Sequence, residues 1–321
     1  MKKHVKILLI LAAALISIGT VLSLVGIVTG VQMDRILYDG ILDVPFYQEQ
    51  RDVPIAEDNR YTVSPKDIHS ISIDWYDDTV TVEPYDGDEI LLEESSNRKL
   101  TEKNAMLFHV RKGTLSIQSR PASSGLFLSS GSPEKNLHVS LPKNLAQDLK
   151  DLSVDAVDAE LTLQGLHAKA LSIDSVDGPA TLQNFKTNAL EINAVDADFL
   201  LQGVQIQALT VDTADGDFTV ENSQVETLHL DTIDGDLIGH FSLCPKEISI
   251  DSADGNAELT LPSDSQFTAQ WNLSGGTYAS DFTGSYQNGT HMVGDGSSRI
   301  SMDSMDGNLH IQKQPTSQGA Q

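Results

Sequence analysis

Seven aspartates recur at one position of a repeated octet: Asp158, Asp177, Asp196, Asp215, Asp234, Asp254 and Asp306. Glycine follows most of them, and alanine follows Asp158 and Asp196. If successive copies stack as strands, these carboxylates form a ladder with rungs about 4.8 Å apart. Unit charges at that spacing repel by roughly 0.9 kcal/mol in water, and by more where water is scarce. Two chemistries would offset the repulsion. Each carboxylate can accept hydrogen bonds from backbone N–H groups of its own turn, as Asp before Gly commonly does. Alternatively, divalent cations, Ca²⁺ first among them, can bridge the rungs through oxygen ligands, with Asp177, Asp196, Asp215, Asp234 and Asp254 as the ligand set. The run Asp212-Thr-Ala-Asp215-Gly-Asp217 lacks the alternating ligand spacing of an EF-hand loop. The turn reading is therefore preferred, and no cofactor is expected.

Other reactive constellations are sparse. The chain has no Gly-x-Ser-x-Gly, no His-Glu-x-x-His and no phosphate-cradling glycine loop. His167, His229 and His310 fall on different phases of the repeat, the latter two at outward strand positions. The single cysteine, Cys244 beside Leu243, excludes a disulfide framework and reads as a small buried hydrophobe. Asn272-Leu-Ser274 and Asn288-Gly-Thr290 fit the glycosylation sequon and read as chance matches. An enzymatic alternative, a polysaccharide-active β-helix, would need acid and base groups converging on the one long insertion. That insertion offers Asp264, Asp281, His291, Asp295 and Arg299.

The elements that place the aspartates are legible in the periodicity. The octets begin at Leu152, Leu171, Leu190, Leu209 and Leu228, a strict step of 19, with further copies at Ile248 and Ile300. Each alternates apolar and polar residues, the mark of a half-buried strand. A second alternating run follows the Asp-Gly, as in Leu161-Thr-Leu163, Phe218-Thr-Val220 and Leu309-His-Ile311. A third inward position recurs at Leu166, Phe185 and Val204. No single turn can bury its apolar face alone, so the turns must stack around a continuous aliphatic column. The expected fold is all-β: a parallel β-solenoid of about 19-residue turns over residues 151–312, interrupted by an insertion at 262–299. Residues 67–150 read as an irregular β cap, within which Ile71-Ser-Ile73-Asp74-Trp75-Tyr76-Asp77-Asp78 is a degenerate first copy.

Ahead of this block, Ile7 to Val31 runs without a charge. A helix of that length spans about 38 Å, enough to cross a hydrocarbon core of roughly 30 Å. Lys2, Lys3 and Lys6 precede it, so the positive-inside bias places residues 1–6 in the cytoplasm and everything after the span outside. The expectation is an uncleaved transmembrane signal anchor at 7–31, a proline-bearing stalk at 32–66 and a disordered tail at 313–321. Lys plus Arg total 21 against 46 Asp plus Glu, a formal charge of 21 − 46 = −25. From Asp151 to Ser298 the count is 3 basic and 24 acidic residues, giving −21. Such a surface repels the phosphate backbone, so no nucleic-acid partner is expected.

The chain resembles a bacterial "putative adhesin" family of cell-envelope β-strand-repeat proteins that includes LiaG-like membrane-anchored members. The resemblance rests on the serial Ile-x-Ile-Asp-Ser-x-Asp-Gly copies and on Leu137-x-Val139-x-Leu141-Pro142 leading into them. It extends to Leu261-Pro262, followed by Leu273-Ser274-Gly275-Gly276. It covers roughly Ile68 to Ile311 and implies a single-pass envelope protein that acts as an adhesive, scaffolding or envelope-stress surface. The implied partners are the membrane, through residues 7–31, and an envelope protein or glycan.

Overall fold

The computed structural model describes residues 56, 58–102, 104–120 and 134–315. The span expected at 7–31 and most of the expected stalk and tail lie outside these residues; the described end of the stalk holds a strand, Arg60–Val63, antiparallel to Ile90–Ser96, because its alternating side chains pack onto the sheet. Among the described residues, no helix is long and apolar enough to cross a membrane.

Strands make up the fold, and its one helix among the described residues is the single turn Lys143–Ala146. In the regular block each 19-residue turn contributes one strand to each of two parallel ladders. His167–Asp177, Lys186–Asp196 and Gln205–Asp215 pair in register, Leu171 beside Leu190 and Leu190 beside Leu209. Ala180–Gln183 and Phe199–Gln202 pair likewise on the second ladder, Leu182 beside Leu201. Leu152, Leu171, Leu190, Leu209, Leu228, Ile248 and Ile300 are all buried and form one stripe of the core. Leu166, Phe185 and Val204 are buried at the corner between ladders. The next corner position is Ser223, fully buried, whose hydroxyl accepts the Val204 N–H at 3.1 Å and donates to the Glu221 carbonyl at 2.7 Å. A polar residue is tolerated there because both of its roles are met.

Chain order and stacking order differ at both ends. Ser70–Tyr85 pairs with Leu149–Gln164 on one side, Ile71 beside Leu152 and Asp74 beside Asp155. On its other side lie Thr114–Gln118 and Lys135–Pro142, both parallel to it. Residues 67–150 thus hold two further rungs of the stack together with antiparallel strands on its outer edge. Ile90–Ser96 pairs antiparallel with Lys135–Pro142, and Leu107–Arg111 with Thr114–Gln118.

The other end mirrors this arrangement. Ser298–Ser304 lies between Glu247–Ser252 and Phe267–Leu273, parallel to both, so the last rung in sequence is the second to last in space. Thr290–Val293 then closes the end, antiparallel to Phe267–Leu273. On the first ladder the outer rungs meet antiparallel strands at both ends, Leu107–Arg111 and Thr290–Val293, and on the second ladder Ile90–Ser96 covers one end. Such covering suppresses edge-to-edge association of parallel stacks.

The turn after the octet explains its glycines. A Cβ at Gly178 would lie 2.6 Å from the carbonyl oxygen of Ala159 in the rung below, and Gly178 has φ of +105°. Gly235, Gly255 and Gly307 face the same obstruction from the glycine one rung below. Ala159 and Ala197 are absent from the positive-φ residues, so the alanine-bearing turns use ordinary backbone and alternate with left-handed ones.

A buried ion pair fastens the N-terminal end. Lys135 and Glu94 have fully buried side chains, with Nζ 2.7 Å from Oε1. Lys135 Nζ also donates to the carbonyls of Asn104 at 2.9 Å and Arg120 at 3.1 Å. The Met106 N–H donates to Glu94 Oε2 at 2.8 Å, and Trp75 Nε1–H donates to the Lys135 carbonyl at 3.1 Å.

Candidate functional site

The regular rungs carry their acidic residues on one edge, at the corner between the two ladders, in three parallel columns. The first comprises the octet's earlier acidic position: Asp74, Asp155, Asp174, Asn193, Asp212 and Asp231 are successive register partners, continued by Asp251 and Asp303. Here stacking perturbs the carboxyls. Partial burial, with the Asp174 charge next to it, raises the Asp155 pKa to about 6. Burial also raises Asp74. At Asp231 burial raises the pKa, opposed by the nearby His229 and reinforced by Asp251 and Asp212. Two asparagines relieve the column. Asn193 Nδ2 donates to Asp174 Oδ1 at 2.8 Å, and Asn272 Nδ2 donates to Asp303 Oδ1 at 3.1 Å.

The second column is the ladder singled out from the sequence. Asp158, Asp177, Asp196, Asp215 and Asp234 are register partners, with Asp254 and Asp306 following, and all are exposed. Asp215 Oδ1 accepts the N–H of Gly216 at 2.9 Å. Among the described residues, no group of three or more His, Cys, Asp or Glu side chains has the arrangement of a metal site.

The third column was not singled out from the sequence, and it is the one most tied to the backbone. Asp198 Oδ1 accepts the N–H of Asp217 at 2.8 Å, and Asp217 Oδ1 accepts that of Asp236 at 3.0 Å. Asp236 Oδ1 accepts both the N–H and the Nδ2–H of Asn256, at 2.7 and 2.9 Å. Asn256 serves Asn308 in the same way, and Asn308 serves Thr277 on the terminal rung. Each acceptor satisfies the backbone of the next rung rather than its own turn. The signal is present in the sequence as Asp-Ala-Asp, Asp-Gly-Asp and Asp-Gly-Asn, the acceptor lying two residues after the octet's second aspartate.

The insertion does not bring its acid and base candidates together. His291 is fully buried in an aromatic stack, its ring 4.0 Å from that of Tyr286, while Tyr278 stacks on Trp271 at 3.8 Å. Burial pushes the Tyr278 phenol up to about 12, and its hydroxyl shares a hydrogen bond of 2.6 Å with His291 Nδ1. The other ring nitrogen, Nε2, is buried beside Gly284 without a hydrogen-bond partner among the described residues. Burial also lowers the His291 pKa. Asp281 accepts the Lys313 N–H, Asp295 the Ser297 N–H, and Arg299 pairs with Glu247 at 3.5 Å. Each has a separate partner. His229 is exposed beside Asp231, His167 and His310 are half-buried on other rungs, and Cys244 is half-buried against the core.

A family model described as Toastrack DUF4097 matches residues 68–312. The chain belongs to this family. Toastrack architecture accounts for the parallel repeat stack, and its bounds coincide with the rungs described above. Among solved structures, one described as a "Putative lipid binding protein" from Parabacteroides distasonis has a TM-score of 0.50 at 15% identity, covering 81% of this chain and 98% of its own. A "putative adhesin" from the same organism has a TM-score of 0.49 at 13% identity, covering 79% and 96%. A "putative cell adhesion protein" from Clostridium sporogenes has a TM-score of 0.25 at 10% identity, covering 79% and 98%. No curated protein matches this chain.

Proposed function

We propose that this Toastrack protein is a non-enzymatic binding module of the cell envelope, tethered by residues 7–31 and displaying its solenoid outside the cytoplasm. The observation that carries the reading is the makeup of the insertion. The long insertion at 262–299, among the described residues, instead packs its histidine, as a neutral aromatic, into the end of the stack. What the rungs offer is repetition: the same outward side chains presented every 4.8 Å or so along one edge, a geometry suited to extended contact rather than turnover. Membership of the Toastrack family and the run of 25 uncharged residues at 7–31 support the same reading. The test is a screen of the full-length chain against cell-wall glycans and extracted envelope proteins, scored for retention and for product formation. Retention without new products is expected. Release of cleaved glycan would overturn the proposal in favour of the polysaccharide-active alternative. A reporter fused after Gln321 should be active only outside the cytoplasm, and cytoplasmic activity would overturn the tethering.

A further inference from the structure

Between the first and second acidic columns runs an apolar ridge. Each octet places one residue directly before its second aspartate: Val157, Val176, Val195, Ala214, Ile233, Ala253 and Met305. The side chains point outward. Val157 is 39% exposed, Val176 47%, Val195 53%, and Ile233 and Met305 45% each. They are neighbours in space to the last copy, since the Asp254 N–H donates to the Ile233 carbonyl and the Asp306 N–H to that of Ala253. The ridge therefore spans six rung spacings, about 29 Å. It ends where Gly275 and Gly276 meet the Met305 rung, the Gly275 N–H donating to the Met305 carbonyl at 2.7 Å. The outward column four residues earlier on the same strands is polar, with Ser172, Glu191, Thr210 and His229, and the outward column two further back carries nothing larger than alanine or threonine, at Ala170, Ala189, Ala208 and Thr227. A line of aliphatic side chains kept exposed over this length, where polar ones fit equally well, marks an interaction surface.

Charge decides what can lie on it. Carboxylates flank the ridge on both sides, Asp174 and Asp177 around Val176, Asp231 and Asp234 around Ile233. A second copy of the chain would bring its own carboxylate columns against these, and an anionic lipid surface would be repelled likewise. Sugars stack on aromatic faces, whereas the seven rungs from Val157 to Met305 carry no ring in this column, and the aromatic in line with them, Tyr76, stands a rung beyond its end. A polypeptide that is apolar along one line and basic on either side meets both requirements. Its Leu or Val side chains would cover the ridge, and its Lys or Arg stems would lie across the edge with their charged heads at the carboxylates. We infer that the ridge from Val157 to Met305, with its two flanking aspartate columns, docks a cationic amphipathic polypeptide segment. This rests on the binding reading above and names its class of partner.

The test uses an 18-residue Lys/Leu peptide with its leucines on one helical face, about 27 Å long, titrated against the full-length chain by fluorescence anisotropy. Comparison peptides are the same composition with leucines dispersed, and oligolysine of equal charge. The amphipathic peptide should bind most tightly. Val176→Ser/Val195→Ser/Ile233→Ser should weaken it by about tenfold or more while leaving oligolysine unchanged, because only apolar contact has been removed. These side chains lie outside the core, so the melting temperature should hold. Should the triple variant fail to fold, Val195→Ser alone, at the most exposed position, should weaken binding by about threefold. The inference is overturned if the serine variants bind the amphipathic peptide as the parent does, if oligolysine or the dispersed peptide binds equally well, or if none binds. In each case retention of a glycan or envelope protein in the screen would leave the binding reading intact and move it to another face.

Discussion

Replacing Lys135 with Met isolates the energetics of the N-terminal end of the stack. The substitution keeps most of the side-chain volume but leaves the Glu94 carboxylate fully buried with only the Met106 N–H for a partner. Breaking a buried pair in this way costs about 3–5 kcal/mol. For a domain of this size each kcal/mol moves the melting temperature by roughly 2–4 °C, so a fall of about 6–20 °C is expected. Glu94→Gln should cost a similar amount by stranding the ammonium. The double variant leaves no buried charge, but it forfeits the bonds to the carbonyls of Asn104 and Arg120. Its cost should therefore fall short of the summed single costs by at least about 2 kcal/mol. The assay is urea unfolding followed by Trp75 fluorescence in a Trp271→Phe background, since Trp75 is buried against this pair and its indole N–H bonds the Lys135 carbonyl. Single-variant costs below about 1 kcal/mol, or strict additivity, would refute the reasoning.

Three further outcomes follow from the stack. Leu201→Asp places a charge in a fully buried column position, and far-UV circular dichroism should show loss of the strand signal, at a cost of several kcal/mol. Gly255→Ala drives a Cβ into the Gly235 carbonyl and should lower the melting temperature well beyond Ala279→Gly, an exposed control whose cost is about 1 kcal/mol or less. Acidification acts with two signs. Asp74, Asp155 and Asp231 have raised pKa values, so the folded state holds those protons more tightly and gains stability as pH falls from about 7 towards 4. His291 has a lowered pKa, so the fold loses stability as pH falls through the unfolded imidazole value near 6.5. Asp155→Asn should therefore be the more stable protein at about pH 7 and lose that advantage by about pH 5, read from melting temperatures across the range. A pH-independent difference would contradict the assignment.

The regular rungs were legible because a 19-residue period forces identical residues into register, so Leu190 and Leu201 could be placed in the core from spacing alone. The degenerate copy at Ile71 was legible for the same reason, since Ile71, Ile73 and Asp74 match Leu152, Val154 and Asp155. The order of rungs at the two ends was not. Nothing in the spacing says that residues 298–313 slot between 247–261 and 267–280, because pairing across a long insertion is fixed by edges that exist only once the stack has formed. The Lys135–Glu94 pair was invisible for a related reason: its partners belong to different strands of an irregular region, with no repeat to align them. At the acidic edge, the sequence drew attention to the aspartates before glycine. The rung-to-rung hydrogen bonds fall on Asp198, Asp217 and Asp236, because an acceptor two residues further on reaches the next rung's N–H. The aromatic closure around His291 left only scattered Trp, Tyr and His in the insertion, with no spacing that announced a stack.

Pulsed electron paramagnetic resonance tests the parallel stack with its inverted end directly. In a Cys244→Ser background, spin labels are attached at Ser172 and Ser301 in one protein and at Ser172 and Gln270 in another. The three side chains lie outside the core, and Ser301 is the register partner of both Ser249 and Gln270. Ser301 is then five rungs from Ser172, about 24 Å, and Gln270 is six rungs away, about 29 Å. The 172–270 distance should exceed the 172–301 distance by about one rung spacing. A longer 172–301 distance, as stacking in chain order would give, would contradict it.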